Sequence, residues 1–146
     1  MKESIGSTWS LQIMILFLLI FSAFLIIVLN YSRAYIVKND VVSIVEKYEG
    51  FSEESVEIVN NYLISKGYKG SGRCPEGWRG VENLKDNVVE NANGGKEYNY
   101  CFVEERKDDR YYTRIKVFFK FNLPAIGDIL TYGVNGKTNS YKGYRK

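Results

Sequence analysis

The chain contains no histidine among its 146 residues. Histidine is the usual acid–base group near neutral pH and the commonest protein ligand of transition metals. Its absence excludes Ser-His-Asp and Cys-His catalysis. The chain also has only two cysteines, too few for a structural zinc site. We therefore expect no catalytic residues, no metal and no cofactor, and we predict that the protein is not an enzyme.

Carboxylates leave one other route to acid–base chemistry. Glu104, Glu105, Asp108 and Asp109 cluster at the tip of an expected hairpin. Paired carboxylates serve as acid and base in many enzymes, but a charged hairpin tip is more often solvated surface. We expect this cluster to be surface.

Charge is absent from residues 11–29, LQIMILFLLIFSAFLIIVL, where Gln12 and Ser22 are the only polar side chains. A nineteen-residue helix rises roughly 28 Å, close to the ~30 Å hydrocarbon core of a bilayer. The alternative is a buried helix of a soluble protein. No second segment is apolar enough to cover such a helix, so we predict a single membrane span.

The flanks of this run fit a membrane helix. Trp9 and Tyr31 lie at its two edges, where interfacial aromatic residues concentrate. A cleavable signal peptide is the rival interpretation, but its apolar region is usually shorter. The one candidate cleavage site, Ser32-Arg33-Ala34, carries a charge in its middle.

Orientation is indicated by two opposing signals. Arg33 and Lys38 follow the span, and positive charge alone favours a cytoplasmic C-terminus. The cysteine pair and the small Tyr-rich domain favour the outside, which we expect.

The net charge of +3 is too small to indicate nucleic-acid binding.

The apolar helix is predicted to continue beyond the membrane, because residues 31–49 contain neither Pro nor Gly. Apolar residues recur there at helical spacing, which gives an amphipathic stripe. We expect one helix from about Thr8 to Glu49, roughly 60 Å long, ended by Gly50 in the left-handed conformation. The stripe consists of Ala34, Val37, Val41, Ile44, Val45 and Tyr48.

A second helix is predicted over residues 53–66. Ser52 is a suitable N-cap, and Phe51 with Val56 is spaced for a hydrophobic staple. Gly67 ends the helix, with Tyr68 reaching back to Leu63. The helix should fold back on the first through Val56, Val59 and Leu63, with Ile58 and Tyr62 beside them.

Residues 68–97 are rich in Gly and Asn and show no lasting period, apart from a short strand or turn within 81–89. Cys74 lies in this loop, and Cys101 lies in the strand that follows. A disulfide between them would close the loop and stabilise a small domain by roughly 3–4 kcal/mol. The alternative is two reduced thiols.

Alternating residues then predict an antiparallel sheet. A strand over 98–105 and another over 111–121 flank a polar turn at 107–110, with one apolar and one wet face. Pro124 should end the second strand. A third strand is expected over 129–134, a tight turn or bulge at Asn135-Gly136, and an edge strand over 138–144.

These elements predict an α+β fold in which a sheet of three or four strands packs on the long helix. The chain divides into a short leader (1–10), a transmembrane helix (11–29), a helical spine with the second helix (30–67), and the loop and sheet domain (68–146).

The succession of short leader, apolar-to-amphipathic helix and small sheet resembles type IV pilins and pseudopilins. It is most similar to the TadE-like minor pilins of tight-adherence pili and their relatives in Gram-positive bacteria. Shorter motifs that also resemble this family are Arg33-Ala34, Val37-Lys38-Asn39, Pro124-Ala125-Ile126-Gly127 and Val134-Asn135-Gly136-Lys137-Thr138.

The resemblance implies processing and assembly. Prepilin cleavage after Gly6 would leave Ser7 as the new N-terminus, with Leu11 at the fifth position, where pilins carry Glu. The span would pack on other pilin-like subunits through small residues such as Ser22 and Ala23. Implied partners are membrane lipid, those subunits and assembly platform proteins, in a secretion system or surface filament, with no small-molecule substrate.

A different class of function stays open. A membrane-anchored extracellular module unrelated to pili would use its Tyr-rich face and basic C-terminal residues to bind wall polymers or DNA. The basic residues are Lys137, Lys142, Arg145 and Lys146.

Overall fold

The computed structural model describes residues 2–123 and 127–142. They form the predicted α+β fold, with two helices followed by one antiparallel sheet of five strands rather than three or four, in the order β2-β1-β3-β4-β5. The elements are α1 (Lys2–Lys47), α2 (Glu53–Ser65), β1 (Arg79–Val81), β2 (Val89–Asn91), β3 (Tyr100–Lys107), β4 (Arg110–Leu123) and β5 (Gly127–Lys137).

Helix α1 is unbroken over 46 residues, which corresponds to roughly 69 Å. It begins six residues before Thr8, so the predicted leader is helical from residue 2 and is continuous with the predicted span. Nothing in this polar segment stops a helix, and the Thr8 hydroxyl donates to the Ser4 carbonyl 2.9 Å away.

The end of α1 corrects one prediction. Glu49, not Gly50, is the first left-handed residue after the helix, with φ 53°. The N–H of Gly50 donates to the Val45 carbonyl (3.0 Å) and that of Glu49 to Glu46 (3.1 Å), a Schellman motif. Gly50 follows at φ 122° and turns the chain toward α2.

Helix α2 has the predicted caps. Ser52 and Ser55 exchange side chain–backbone hydrogen bonds of 3.2 and 2.7 Å in a capping box. Gly67 is left-handed, and the N–H of Tyr68 donates to the Leu63 carbonyl (3.0 Å). The Tyr62 hydroxyl donates to the Asp40 carboxylate and so ties α2 to α1.

The core lies between the helices and one face of the sheet, as the stripe predicted. Ala34, Val41 and Val45 of α1 are completely buried. The main cluster comprises Val41, Val45, Val56, Val59, Leu63, Val81, Leu84, Tyr100, Phe102, Ile115 and Val117.

Strand β5 runs along α1 in the same direction. Gly136, the second-last residue of β5, lies close to Lys38 and Val42 of α1, and beyond the strand the N–H of Asn139 donates to Glu46 (2.7 Å). The three residues from 136 to 139 rise about 10 Å as extended chain, and the eight from 38 to 46 rise about 12 Å as helix. The helix and the strand therefore advance by similar distances in the same direction, which places the β3–β4 turn at the end of the domain far from residues 11–29.

The Asn135-Gly136 prediction was wrong, since both residues continue β5 opposite Lys116 and Ile115. A Cβ on Gly136 would lie 2.7 Å from the Val42 methyl, so close packing explains this glycine. The expected edge strand over 138–144 is reduced to one bridge, from Tyr141 to Tyr111. Its last two residues and Pro124 lie outside the described residues.

The second face of the sheet is not wholly wet, contrary to the prediction. The Gly-rich loop covers it through a small cluster of Cys74, Tyr98, Cys101 and Phe118. Tyr98 precedes β3 and pairs with Gly72, so it packs here and not beside Tyr100. The same loop contributes β1 and β2, each only three residues long.

Candidate functional site

The largest exposed apolar surface is the N-terminal half of α1. Side chains from Leu11 to Leu29 are mostly 44–64% exposed, and none of the most apolar window is buried. Among the described residues this is the one helix long and apolar enough to cross a membrane. Its length and composition fit a membrane anchor, and a signal sequence has the same character.

The predicted packing residues lie within this exposed segment. Ser22 and Ala23 are both exposed. The Ser22 hydroxyl donates to its own helix, at 2.6 Å from the Leu18 carbonyl and 3.1 Å from that of Leu19. The hydrogen bonding of this hydroxyl is therefore satisfied within α1 itself.

The predicted cleavage site lies in the first turns of α1. Gly6 and Ser7 are exposed and helical, and a Cβ on Gly6 would meet nothing within 4 Å beyond the local backbone of its own helix. Leu11 follows one turn later and is 58% exposed.

Cys74 and Cys101 form the predicted disulfide, with Cα atoms 5.7 Å apart. Neither is a free thiol, so the alternative of two reduced cysteines is wrong. The bond joins the Gly-rich loop to β3. A Cβ on Gly80 would meet the Tyr98 ring at 2.6 Å and the Cys74 sulfur at 3.1 Å, so this glycine lets the loop lie flat on the sheet.

Two buried tyrosines connect the helices to the sheet. The Tyr100 hydroxyl donates to Asn60 Oδ1 (2.9 Å), and that of Tyr68 lies between the carbonyls of Asn99 and Phe118. Burial raises the pKa of both phenols, partly offset at Tyr68 by its hydrogen bond to Phe118. Both are therefore structural donors and are neutral at physiological pH.

The acidic residues predicted to cluster at the hairpin tip have separate partners and do not form one site. Glu104 accepts from the N–H of Phe51 (3.3 Å), whereas Asp109 pairs with Arg106 (2.6 Å). Glu105 accepts from Tyr112 and Arg114, which hold the pKa of this carboxyl below its usual range. A lowered pKa is the opposite of what a general acid requires.

A basic groove of about 550 Å³ lies at the β3–β4 turn. Lys107, Arg110 and Lys137 line it with Tyr112, and Asp108 is the one acidic residue of the lining. Lys137 Nζ lies 3.9 Å from the centre of the Tyr112 ring. We call this the distal groove. Of the predicted basic residues, Lys137 lines the groove. Lys142 is exposed but is not part of its lining. Arg145 and Lys146 lie outside the described residues.

Sequence reasoning missed Lys107 and Arg110 as groove residues. The sequence predicts only a polar turn at these two positions, and no sequence signal shows that residues 137–140 return beside them.

Comparison of the chain with protein-family models, curated proteins and solved structures finds no match in any of the three. The resemblance to pilins stays a prediction from the residues.

Proposed function

We propose that the protein is a non-enzymatic, pilin-like subunit of a tight-adherence or type II secretion-like assembly. One N-terminal helix anchors it in the cell membrane, with the C-terminal domain outside. The observation that carries this proposal is α1 itself, which is bare and apolar over its first half and forms the buried spine of the domain over its second.

A continuous helix suits a mechanical role. A lipid anchor needs only hydrophobicity, and a flexible linker would let the domain move independently of it. Here no break separates Leu29 from Ala34, which is completely buried in the domain. A displacement of the span would therefore be transmitted to the sheet.

The disulfide supports the outside orientation. Disulfides persist in oxidising compartments and are rare in the cytosol. Cys74 and Cys101 are the only cysteines of the chain and are joined.

Association through the span can be tested by changing its shape without changing its hydrophobicity. The variant Ser22→Leu/Ala23→Leu fills the surface where small residues allow close helix approach. We expect it to insert normally but to lose co-purification with other subunits or platform proteins. The matched control is Ile20→Leu/Ile27→Leu, which changes two exposed residues of the same segment and conserves volume.

Unchanged association of the Ser22→Leu/Ala23→Leu variant would contradict packing through this surface. If the parent chain recovers no partner after cross-linking in the membrane, the assembly proposal is wrong and the binding-module alternative takes its place.

The distal groove favours that second candidate, a membrane-anchored module that binds a polyanion of the cell wall or DNA. Three cations and an aromatic ring at the end of the domain are suited to a phosphate backbone. Lys107→Gln/Arg110→Gln should then weaken binding to wall teichoic acid, whereas Lys85→Gln/Lys96→Gln, elsewhere on the surface, should not. Equal binding by both variants would contradict this function.

A further inference from the structure

A second cleft lies at the opposite end of the domain, where α1 leaves the predicted span. It has a volume of about 380 Å³ and is walled by α1, the end of α2, the following loop and strands β4 and β5. We call it the proximal cleft. Its α1 wall begins at Asn30, the first residue after the apolar run 11–29.

The lining of the proximal cleft is positively charged. Arg33, Lys66, Lys69 and Lys120 all contribute to it, and none of its lining residues is acidic. These four cations come from three separate parts of the chain: α1, the segment that follows α2, and β4. Within residues 2–123 and 127–142 none of them forms a salt bridge, since the ion pairs there involve other cations.

Uncharged groups complete the cleft. Ile36 and Phe119 provide apolar surface, and the side chain of Lys66 lies over the Tyr62 ring at 5.6 Å. The site therefore offers unneutralised cations next to an apolar wall, which suits a ligand with an anionic head and an apolar body.

The distance of the cleft from the end of the apolar segment indicates that such a ligand would come from the membrane. Arg33 is four residues beyond Leu29, which places it roughly 6 Å past the end of the apolar segment. The headgroup layer on each side of a bilayer is about 5–8 Å thick, from the difference between total and hydrocarbon thickness. Arg33 thus falls at the level of the lipid phosphates.

We propose that the proximal cleft binds the phosphate headgroup of an anionic phospholipid from the leaflet on which the domain lies. Cations near an anionic membrane surface each contribute appreciably to binding. The cleft would hold this end of the domain against the lipid headgroups. The proposal rests on membrane anchorage by α1, part of the proposed function, and not on assembly or on the side of the membrane.

The test uses the full-length chain in detergent micelles with equimolar phosphatidylglycerol and phosphatidylcholine of the same acyl chains. Native mass spectrometry counts the lipids that remain bound. We expect a preference for phosphatidylglycerol of about fivefold or more. The variant Arg33→Gln/Lys69→Gln/Lys120→Gln should lose it.

The matched control is Lys47→Gln/Arg73→Gln/Lys85→Gln, which removes the same charge from exposed sites outside both the proximal cleft and the distal groove and should keep the preference. Equal losses in the two triple variants would show a general charge effect and overturn the site. So would full competition by millimolar inorganic phosphate, because the ligand would then be a soluble anion. Near-UV circular dichroism checks that each variant is folded.

Vesicle flotation of the same preparations separates the two proposals. A chain that floats with vesicles but shows no preference for phosphatidylglycerol contradicts the lipid site alone. A chain that fails to float has no membrane anchor, which contradicts the proposed function and the lipid site together.

Discussion

The hydroxyl of Tyr68 completes the hydrogen bonding of Phe118. It lies within donating distance of the Phe118 carbonyl and accepts the Phe118 N–H at 2.9 Å. The Asn99 carbonyl is also in reach, at 2.6 Å. Because Tyr68 follows α2 directly, this one side chain fastens the end of α2 to the point where β3 begins to pair with β4.

Removing that hydroxyl should destabilise the domain. Tyr68→Phe leaves the buried N–H of Phe118 without its acceptor, which costs about 1–3 kcal/mol. Urea unfolding of the full chain in detergent, followed by near-UV circular dichroism, measures the loss. Tyr35→Phe is the control, because Tyr35 is 49% exposed and its hydroxyl makes no hydrogen bond with the described residues. Equal stabilities of the two variants would contradict the role of Tyr68.

Stability should fall at alkaline pH. The pKa values of Tyr68 and Tyr100 are raised in the folded state, so the unfolded chain loses these protons first, near pH 10. Their contribution is constant below that pH and decreases above it, by up to about 1.4 kcal/mol per pH unit for each tyrosine. Urea unfolding from pH 8 to 11 tests this, and Tyr68→Phe should show a shallower decline than the parent. A parent whose stability is flat to pH 11 would exclude such shifts.

Gly136 should not tolerate a side chain. A Cβ there would lie 2.7 Å from Val42 Cγ2 and 2.8 Å from Lys38 Cδ. Gly136→Ala should therefore cost about 1–3 kcal/mol by overpacking, whereas Gly94→Ala meets nothing within 4 Å and should be nearly neutral.

A second substitution can show that this cost arises at the α1–β5 contact. Adding Val42→Ala should reduce the penalty of Gly136→Ala, because the clashing methyl is gone. Thermal unfolding of the four combinations gives the coupling energy. An additive result would mean that Gly136 is needed for another reason.

Loss of the disulfide should destabilise the loop side of the sheet. Cys74 and Cys101 are 27 positions apart, for which the chain-entropy model gives about 3–4 kcal/mol. Cys74→Ala/Cys101→Ala should show that loss in urea unfolding. A double variant as stable as the parent would mean that the bond contributes no net stability to the domain.

Much of the fold could be predicted from sequence where a period or a cap was long enough to be distinctive. The α1 stripe, the capped α2 and the alternating β4 are examples. Strands β1 and β2 are only three residues long, too short to show an alternating pattern. They become recognisable only in the structure, where β1 pairs with β3. Asn135-Gly136 has the composition of a turn, yet contact with α1 keeps it extended, a tertiary effect that local propensity does not contain.

The candidate sites divide in the same way. The cysteine pair and the apolar run were visible in the sequence, because each is defined by composition. The distal groove and the proximal cleft were not visible in the sequence. In the proximal cleft, the cations come together only after α2 folds back and the sheet returns along α1; they are Arg33, Lys66, Lys69 and Lys120. Phe118 lies buried on the face predicted to be exposed to solvent, because the loop that covers it has no pattern of its own.

We propose above that α1 crosses the membrane with the folded domain outside. Labelling of intact cells with a membrane-impermeant maleimide tests it, using Glu57→Cys on the exposed side of α2 and Ser7→Cys before the span. Glu57 is preferred to the Asp108-Asp109 turn, where both residues have positive φ. We expect labelling of Glu57→Cys in intact cells and of Ser7→Cys only after lysis. Labelling of Glu57→Cys only after lysis would contradict it.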